Sequence, residues 1–152
     1  MMIRKATDRD IGRIAEILVF NNRIHYFPIF KDIAYSFGEM NVLSVSEHLK
    51  KDVVLINHTY VFEETVIKGF ISVVEREIVK LYVEPFFQKR GIGEKLIEFA
   101  IKMEKAEHLW ALEKNTGAIR FYKKHGFHMT GEKKLEEGTD EYLVHLVQMD
   151  RS

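Results

Sequence analysis

Residues 83–97 read Val-Glu-Pro-Phe-Phe-Gln-Lys-Arg-Gly-Ile-Gly-Glu-Lys-Leu-Ile, and they start a helix directly after a basic turn flanked by glycines. Aligned peptide dipoles leave partial positive charge at a helix N-terminus, so Asp and Glu are the usual residues there. Lys89 and Arg90 stand in that place instead, while Gly91 and Gly93 free the backbone. The arrangement makes sense if something negative sits on it. A strand ending at Val83, a turn at Pro85, glycines and then a helix present backbone N–H groups of the kind that bind phosphates. Two familiar versions are excluded. Gly91-Ile92-Gly93-Glu94-Lys95-Leu96 lacks the third glycine of the dinucleotide fingerprint, and the chain has no Gly-x4-Gly-Lys-Ser/Thr loop. On spacing alone a plainer alternative stays open, in which the glycines only shape a tight turn and the basic residues are solvated.

Outward from this turn the texture alternates. Residues 54–83 have β character in three runs, VLINHTYVF, VIKGFISVV and EIVKLYV, separated by turns at 63–65 and 75–76. Helical periodicity follows over 93–105, where Leu96, Ile97, Ala100 and Ile101 share a face. A short strand at 109–112 precedes a helix at about 116–125, closed by Gly126 in the C′ position. Strands over roughly 127–135 and 141–149 finish the chain. Upstream, residues 2–6 form a strand and Thr7 caps a helix carrying Asp8 and Asp10 in its first turn. Ile11, Ile14, Ala15 and Leu18 make that helix's buried stripe. The pattern breaks over 21–31 at His25-Tyr26-Phe27-Pro28, an aromatic-rich loop, and 32–51 is ambiguous apart from a helix near 46–51. The order predicts an α/β (α+β) domain, one mixed sheet of about seven strands flanked by about four helices, spanning 1–152.

Composition removes several classes. Lys+Arg and Asp+Glu both number 23, so no basic excess points to nucleic acid. With no cysteine, disulfides, thiolate nucleophiles and cysteine metal sites are excluded. His125 and His128 flank a helix end without a carboxylate cluster and the other histidines scatter, so no metal site is expected. No stretch approaches the roughly 18 apolar residues that cross a bilayer, and no leader is evident at the start, so a cytoplasmic protein is expected. The charge run at 132–137 reads as a solvated hairpin.

A second block joins the first. Asn115-Thr116-Gly117-Ala118-Ile119-Arg120-Phe121-Tyr122, continuing through Gly126-Phe127, puts Asn115, Ala118 and Tyr122 on one helix face, where a small Ala between polar side chains leaves room for a ligand. The loop Gln88-Lys89-Arg90-Gly91-Ile92-Gly93, with Leu81-Tyr82-Val83-Glu84-Pro85 before it, resembles the signature of the GNAT family of N-acetyltransferases. The second block is similar to that family's Asn-x-x-Ala-x-x-x-Tyr-x-x-x-Gly-Phe. The resemblance implies acetyl-CoA as cofactor and direct transfer of its acetyl group to an amine. It further implies that backbone donors over Lys89–Glu94 (Lys89, Arg90, Gly91, Ile92, Gly93, Glu94) hold the pyrophosphate. Leu81, Tyr82 and Val83 would hold the pantetheine arm, Asn115 and Ala118 would lie against the cofactor, and a backbone N–H near Val83 would face the carbonyl oxygen.

Direct transfer needs an uncharged amine and a proton for the departing sulfur. Tyr122 matches the family's proton donor, and a tyrosine with a reference pKa of about 10 stays protonated at neutral pH. Glu77 aligns with the strand glutamate that serves as base in the histone-acetylating branch, against a plainer alternative of a solvated glutamate at a strand end. Another branch keeps a base where this chain has Trp110, and water chains could also do the job. The family varies its first helix-loop region to choose substrates, which makes His25 and Tyr26 candidates for the acceptor side, with Phe27 and Phe30 as a hydrophobic lid. A longer acyl group and a non-catalytic acetyl-CoA-binding module remain the alternatives. The family often pairs through its last strands, so a homodimer stays open.

Overall fold

The computed structural model describes residues 2–148. β1 (Ile3–Lys5) leads through a single 3-10 turn into α1 (Ile11–Asn21), which continues as a π-helical turn over Asn22–Tyr26 into α2 (Phe27–Phe30). A second π-helical turn, α3 (Val42–Lys51) and α4 (Val53–Asn57) come next. The hairpins β2 (Thr59–Glu64), β3 (Val66–Val74) and β4 (Glu77–Val83) are followed by α5 (Ile92–Met103), β5 (His108–Leu112), α6 (Thr116–Lys124), β6 (Phe127–Leu135) and β7 (Tyr142–Gln148). All seven strands form one sheet in the order β1-β2-β3-β4-β5-β7-β6. Neighbours run antiparallel except β4 and β5, which are parallel.

Strand alternation sends successive side chains to two cores. On β3, Phe70 packs with Ile14, Ile17, Leu49 and Leu55 beneath α1, α3 and α4. Its neighbour Ile71 packs with Leu96, Ile97, Leu109 and Phe127 beneath α5 and α6. Gly69 is the close approach between the layers. A Cβ there would stand 2.9 Å from the Tyr82 carbonyl oxygen and 3.2 Å from Leu96 Cδ1, so the missing side chain lets α5 sit down on β3.

Element boundaries fall within one or two residues of the sequence reading from β5 onward, while the end of the last strand at Met149 lies outside the described residues. Three differences occur upstream. VLIN at 54–57 belongs to a helix, not a strand: Asp52 Oδ1 accepts the Leu55 N–H at 3.1 Å as a cap, and Thr59 donates its hydroxyl to the Leu55 carbonyl at 2.7 Å. These local bonds override the β propensity of Val and Ile. Asn41 caps α3 through the Ser44 N–H at 2.9 Å, so that helix begins well before 46. The aromatic stretch at 21–31 is helical rather than looped, since Pro28 enters α2 in its first turn, where no N–H is required. The two one-turn helices α2 and α4 account for six helices where about four were expected. Among the described residues no helix is long and apolar enough to cross a membrane.

Candidate active site

β4 and β5 pair only at Glu77–His108 and Ile78–Leu109. Directly beyond, β4 carries a bulge: Ser72 faces Lys80 and Val73 faces Ile78, leaving Val79 unpaired. A bulge bends its strand, and at this residue β4 parts from β5. The resulting wedge is a cavity of about 730 Å³ lined by β4 from Ile78 to Tyr82, by Trp110 to Leu112 of β5, and by Asn115, Ala118 and Tyr122. That volume falls within the usual range for a small-molecule site.

The backbone of β4 faces both ways. Glu84 donates its N–H to Lys68 O at 2.8 Å, and the Tyr82 carbonyl lies against Gly69, so both groups face β3. Alternation along an antiparallel ladder turns the backbone groups of Leu81 and Val83 the opposite way, toward the wedge. There the Val83 carbonyl accepts from Asn21 Nδ2 at 3.0 Å and Gln88 Nε2 at 3.1 Å. Gln88 thus ties the loop to β4 and, through Asn21 Oδ1 at 3.3 Å, to α1.

In the loop that follows β4, Lys89 has φ +63° and Gly91 φ +82°, left-handed positions that turn successive N–H groups into one concavity. Gly91 is the N-cap of α5, no side chain caps the helix, and a Cβ on Gly91 would meet nothing within 4 Å. Gly93 differs: its Cβ would touch Phe121 Cζ at 3.5 Å and Val83 Cγ2 at 3.7 Å. The acid of this first turn, Glu94, is paired with Lys124 at 3.2 Å. The Arg90 guanidinium lies over Phe86 and Phe87, 5.5 and 5.8 Å from the ring centroids. The N-terminus of α5 therefore keeps an anion-binding geometry without a cap of its own.

α6 turns its polar face to the wedge. Asn115 Oδ1 accepts the Ala118 N–H at 3.2 Å and starts the helix, while Ile119 on the other face enters the core. Burial, and after it the neighbouring Tyr26, push the Tyr122 hydroxyl well above the ordinary tyrosine pKa. Tyr26 and Tyr82 share a hydroxyl hydrogen bond at 3.2 Å, and burial raises both of their pKa values. Three protonated phenols thus stand around one cavity.

Residues 56–129 match the family model described as "Acetyltransferase (GNAT) domain". Over that stretch, just under half of its length, the chain is similar to the GNAT acetyltransferases. Its relatives include the peptidyl-lysine N-acetyltransferase YjaB of Salmonella typhimurium, 32% identical over 69 residues that cover 45% of this chain and 48% of that protein. The chain thus spans about half the length of that curated relative. The GNAT fold extends further. The solution structure of apo-form YjaB from Escherichia coli superposes with a TM-score of 0.75 at 20% identity, covering 97% of this chain and 96% of that one. The PaiA N-acetyltransferase of Thermoplasma acidophilum, in complex with coenzyme A, gives 0.64 at 18% identity over 94% and 96%.

Within this fold the expected residues separate into two groups. Leu81, Tyr82, Asn115, Ala118, Tyr122 and Tyr26 all line the wedge, while the loop 88–94 is outside its lining and joined to Val83, at the end of β4, through Gln88. Glu77 and His25 are not brought in. Glu77 opens β4 at the closed end, in register with His108, and lies six residue steps along the strand, about 20 Å, from Val83. His25 points to the loop, its Nε2 3.3 Å from Gln88 Nε2. Phe30 lines the wedge, whereas Phe27 meets Phe37 edge-on with centroids 5.3 Å apart. Among the cavity residues that escaped the sequence reading are Asn22, Lys80 and Glu136, with Asp32, Glu137, Asp140 and Glu141. Lys80 had a signal, being the charged residue inside the apolar run Ile78-Val79-Lys80-Leu81. Glu136 had none, because only the fold bends the end of its charge run over the wedge.

Proposed function

We propose that this chain is an N-acetyltransferase that moves an acetyl group from acetyl-CoA directly to a primary amine of a small molecule or a protein. The observation that carries the reading is the wedge itself, lined by Leu81, Tyr82, Asn115, Ala118 and Tyr122, together with the uncapped start of α5 that follows the end of β4. The N–H groups from Lys89 to Glu94 would hold the pyrophosphate, and the left-handed Gly91 with open space beside it fits a phosphate at that point. The wedge-facing backbone of Leu81 and Val83 would hold the pantetheine arm in place of a neighbouring strand. The Val83 N–H faces the side where negative charge builds on the carbonyl oxygen. Tyr122, kept protonated by burial, donates its proton to the departing sulfur. Glu77 is not among the residues that line the wedge, and proton removal from the amine is assigned to water in the cavity. Coenzyme A in the PaiA structure and peptidyl-lysine in the name of YjaB both support this reading. Under it residues 1–152 act as one cytoplasmic domain, and β6, at the sheet edge, is where a second copy would pair.

The test is free-thiol release from acetyl-CoA by the purified protein, alone and with a mixed amine panel, beside a coenzyme A thermal shift. Amine-stimulated thiol release supports the reading. A coenzyme A shift with no stimulation by any amine identifies a binding module instead, and no shift at all removes the phosphate loop.

A further inference from the structure

We infer that the acceptor of this site is a small zwitterion, an amine that also carries a carboxylate, with Lys80 holding the carboxylate and Glu136 receiving the ammonium. The inference rests on the transferase reading above and narrows its substrate class. Lys80 projects from β4 on the side of Tyr82 and Phe70, since the antiparallel register pairs it with Ser72 and Tyr82 with Phe70. It lines the wedge with Tyr82 and Trp110. The side chain is partly buried, and among the described residues it takes part in no hydrogen bond or ion pair. Asp52, whose charge reaches Lys80, already accepts the Leu55 N–H as the cap of α4.

An ammonium withdrawn from water without a partner is unfavourable, and burial lowers the pKa of Lys80 accordingly. Asp32, Glu137, Asp140 and Glu141 also line the cavity, but none of them forms an ion pair with Lys80, so its ammonium is left without a bound anion. The amine to be acetylated is not one, so the missing charge must come from elsewhere on the acceptor. Opposite Lys80, the hairpin between β6 and β7 brings Glu136 to the same cavity. Its backbone is fixed there: the Glu136 N–H donates to Glu141 O at 2.8 Å, and Thr139 donates through its N–H to Glu136 O at 3.0 Å. The carboxylate itself joins no hydrogen bond or ion pair among the described residues. It is close enough for its charge to act on Lys80, Tyr26 and Tyr82, yet the two side chains do not close into an ion pair. A cation and an anion that share a cavity without meeting leave room for a ligand of reversed polarity between them.

Lys80 and Glu136 together match a free amino acid better than a polyamine or a lysine side chain within a protein, which present cations and no adjacent carboxylate.

The experiment pairs each amino acid with its decarboxylated amine, phenylalanine with phenethylamine and lysine with cadaverine, and measures kcat/KM for acetylation with acetyl-CoA. A hydrogen bond to a charged group corresponds to about ten- to a hundred-fold, so the wild-type protein should favour the carboxylate-bearing member by that factor. Lys80→Met should bring the ratio to about one, and Lys80→Arg should keep most of it. A coenzyme A binding isotherm confirms that each variant is folded. Equal rates for both members of every pair, a preference for the decarboxylated amines, a preference that survives Lys80→Met, or acetylation of Lys80 itself in the mass spectrum would each overturn the inference. Transfer with a ratio near one leaves the acetyltransferase reading standing, whereas no transfer to any amine removes both.

Discussion

The two motif glycines, Gly91 and Gly93, should respond to alanine with opposite signs. At Gly91 the cost is conformational. A Cβ there meets nothing within 4 Å, but φ is +82°, and a left-handed position costs an ordinary residue about 1–2 kcal/mol. In a domain of this size each kcal/mol moves Tm by about 2–4 °C, so Gly91→Ala should melt roughly 2–8 °C lower without ligand. Gly93 lies inside α5 with an ordinary φ, and its Cβ would rest on Phe121 at 3.5 Å, a normal contact. Removing glycine's freedom from the unfolded chain at such a site is worth about 0.4–1 kcal/mol, so Gly93→Ala should melt at or slightly above the wild-type temperature. Thermal denaturation followed by circular dichroism reads both. Gly91→Asp carries the same idea to the ligand: Asp tolerates left-handed backbone better than most residues, so the fold should survive while its carboxylate repels phosphate. Its coenzyme A thermal shift should vanish. A Gly91→Ala protein as stable as wild type, or a Gly91→Asp protein stabilised by coenzyme A as fully as wild type, would refute the reasoning.

Two further outcomes follow from the packing. Gly69→Ala forces a Cβ to within 2.9 Å of the Tyr82 carbonyl and 3.2 Å of Leu96; overpacking of this kind costs about 1–3 kcal/mol, visible as a lower urea midpoint with an unchanged m-value. Asp10 should govern part of the acid limb. Its hydrogen bonds from Arg4, at 2.8 and 3.0 Å, hold its pKa below the usual carboxylate value against the opposing effect of burial. A depressed folded pKa contributes stability above the unfolded value near 4, which is lost as pH falls through the folded one. Asp10→Asn should therefore cost more at pH 7 than at pH 3, and an equal cost at both would remove the ion pair from the account.

The C-terminal half was legible because each signal there was local and concordant. Gly126, closing α6 with φ +94°, and the apolar stripe of α5 need only neighbouring residues to act. The turn at Glu75-Arg76 follows from alternating strands on either side, although both residues adopt left-handed backbone there. Upstream, the decisive groups were single polar side chains competing with propensity, such as Asp52 and Thr59 around VLIN. The wedge was legible as motifs and not as a shape: nothing in Ile78-Val79-Lys80 announces that Val79 is the bulge where two strands separate. Glu77 shows the limit from the other side, since a position aligned along a sequence says nothing about which end of a splayed strand is open. Glu136 comes to the cavity from nearly sixty positions beyond Ile78 through a hairpin whose charge run looks solvated.

The most direct measurement of the central claim is the single-turnover rate of acetyl transfer by Tyr122→Phe, on an amine that the wild-type protein accepts. The substitution keeps the ring and its edge contacts with Phe121 and Phe127, at 5.6 and 6.0 Å between centroids, and removes the hydroxyl alone. Single turnover is required because slow product release could mask a chemical step. Positioned acid catalysis is worth about 10²–10⁴-fold, so the rate should fall by that order while coenzyme A affinity changes little. A rate within about threefold of wild type, far short of that range, would contradict the account and leave Tyr122 as a packing residue.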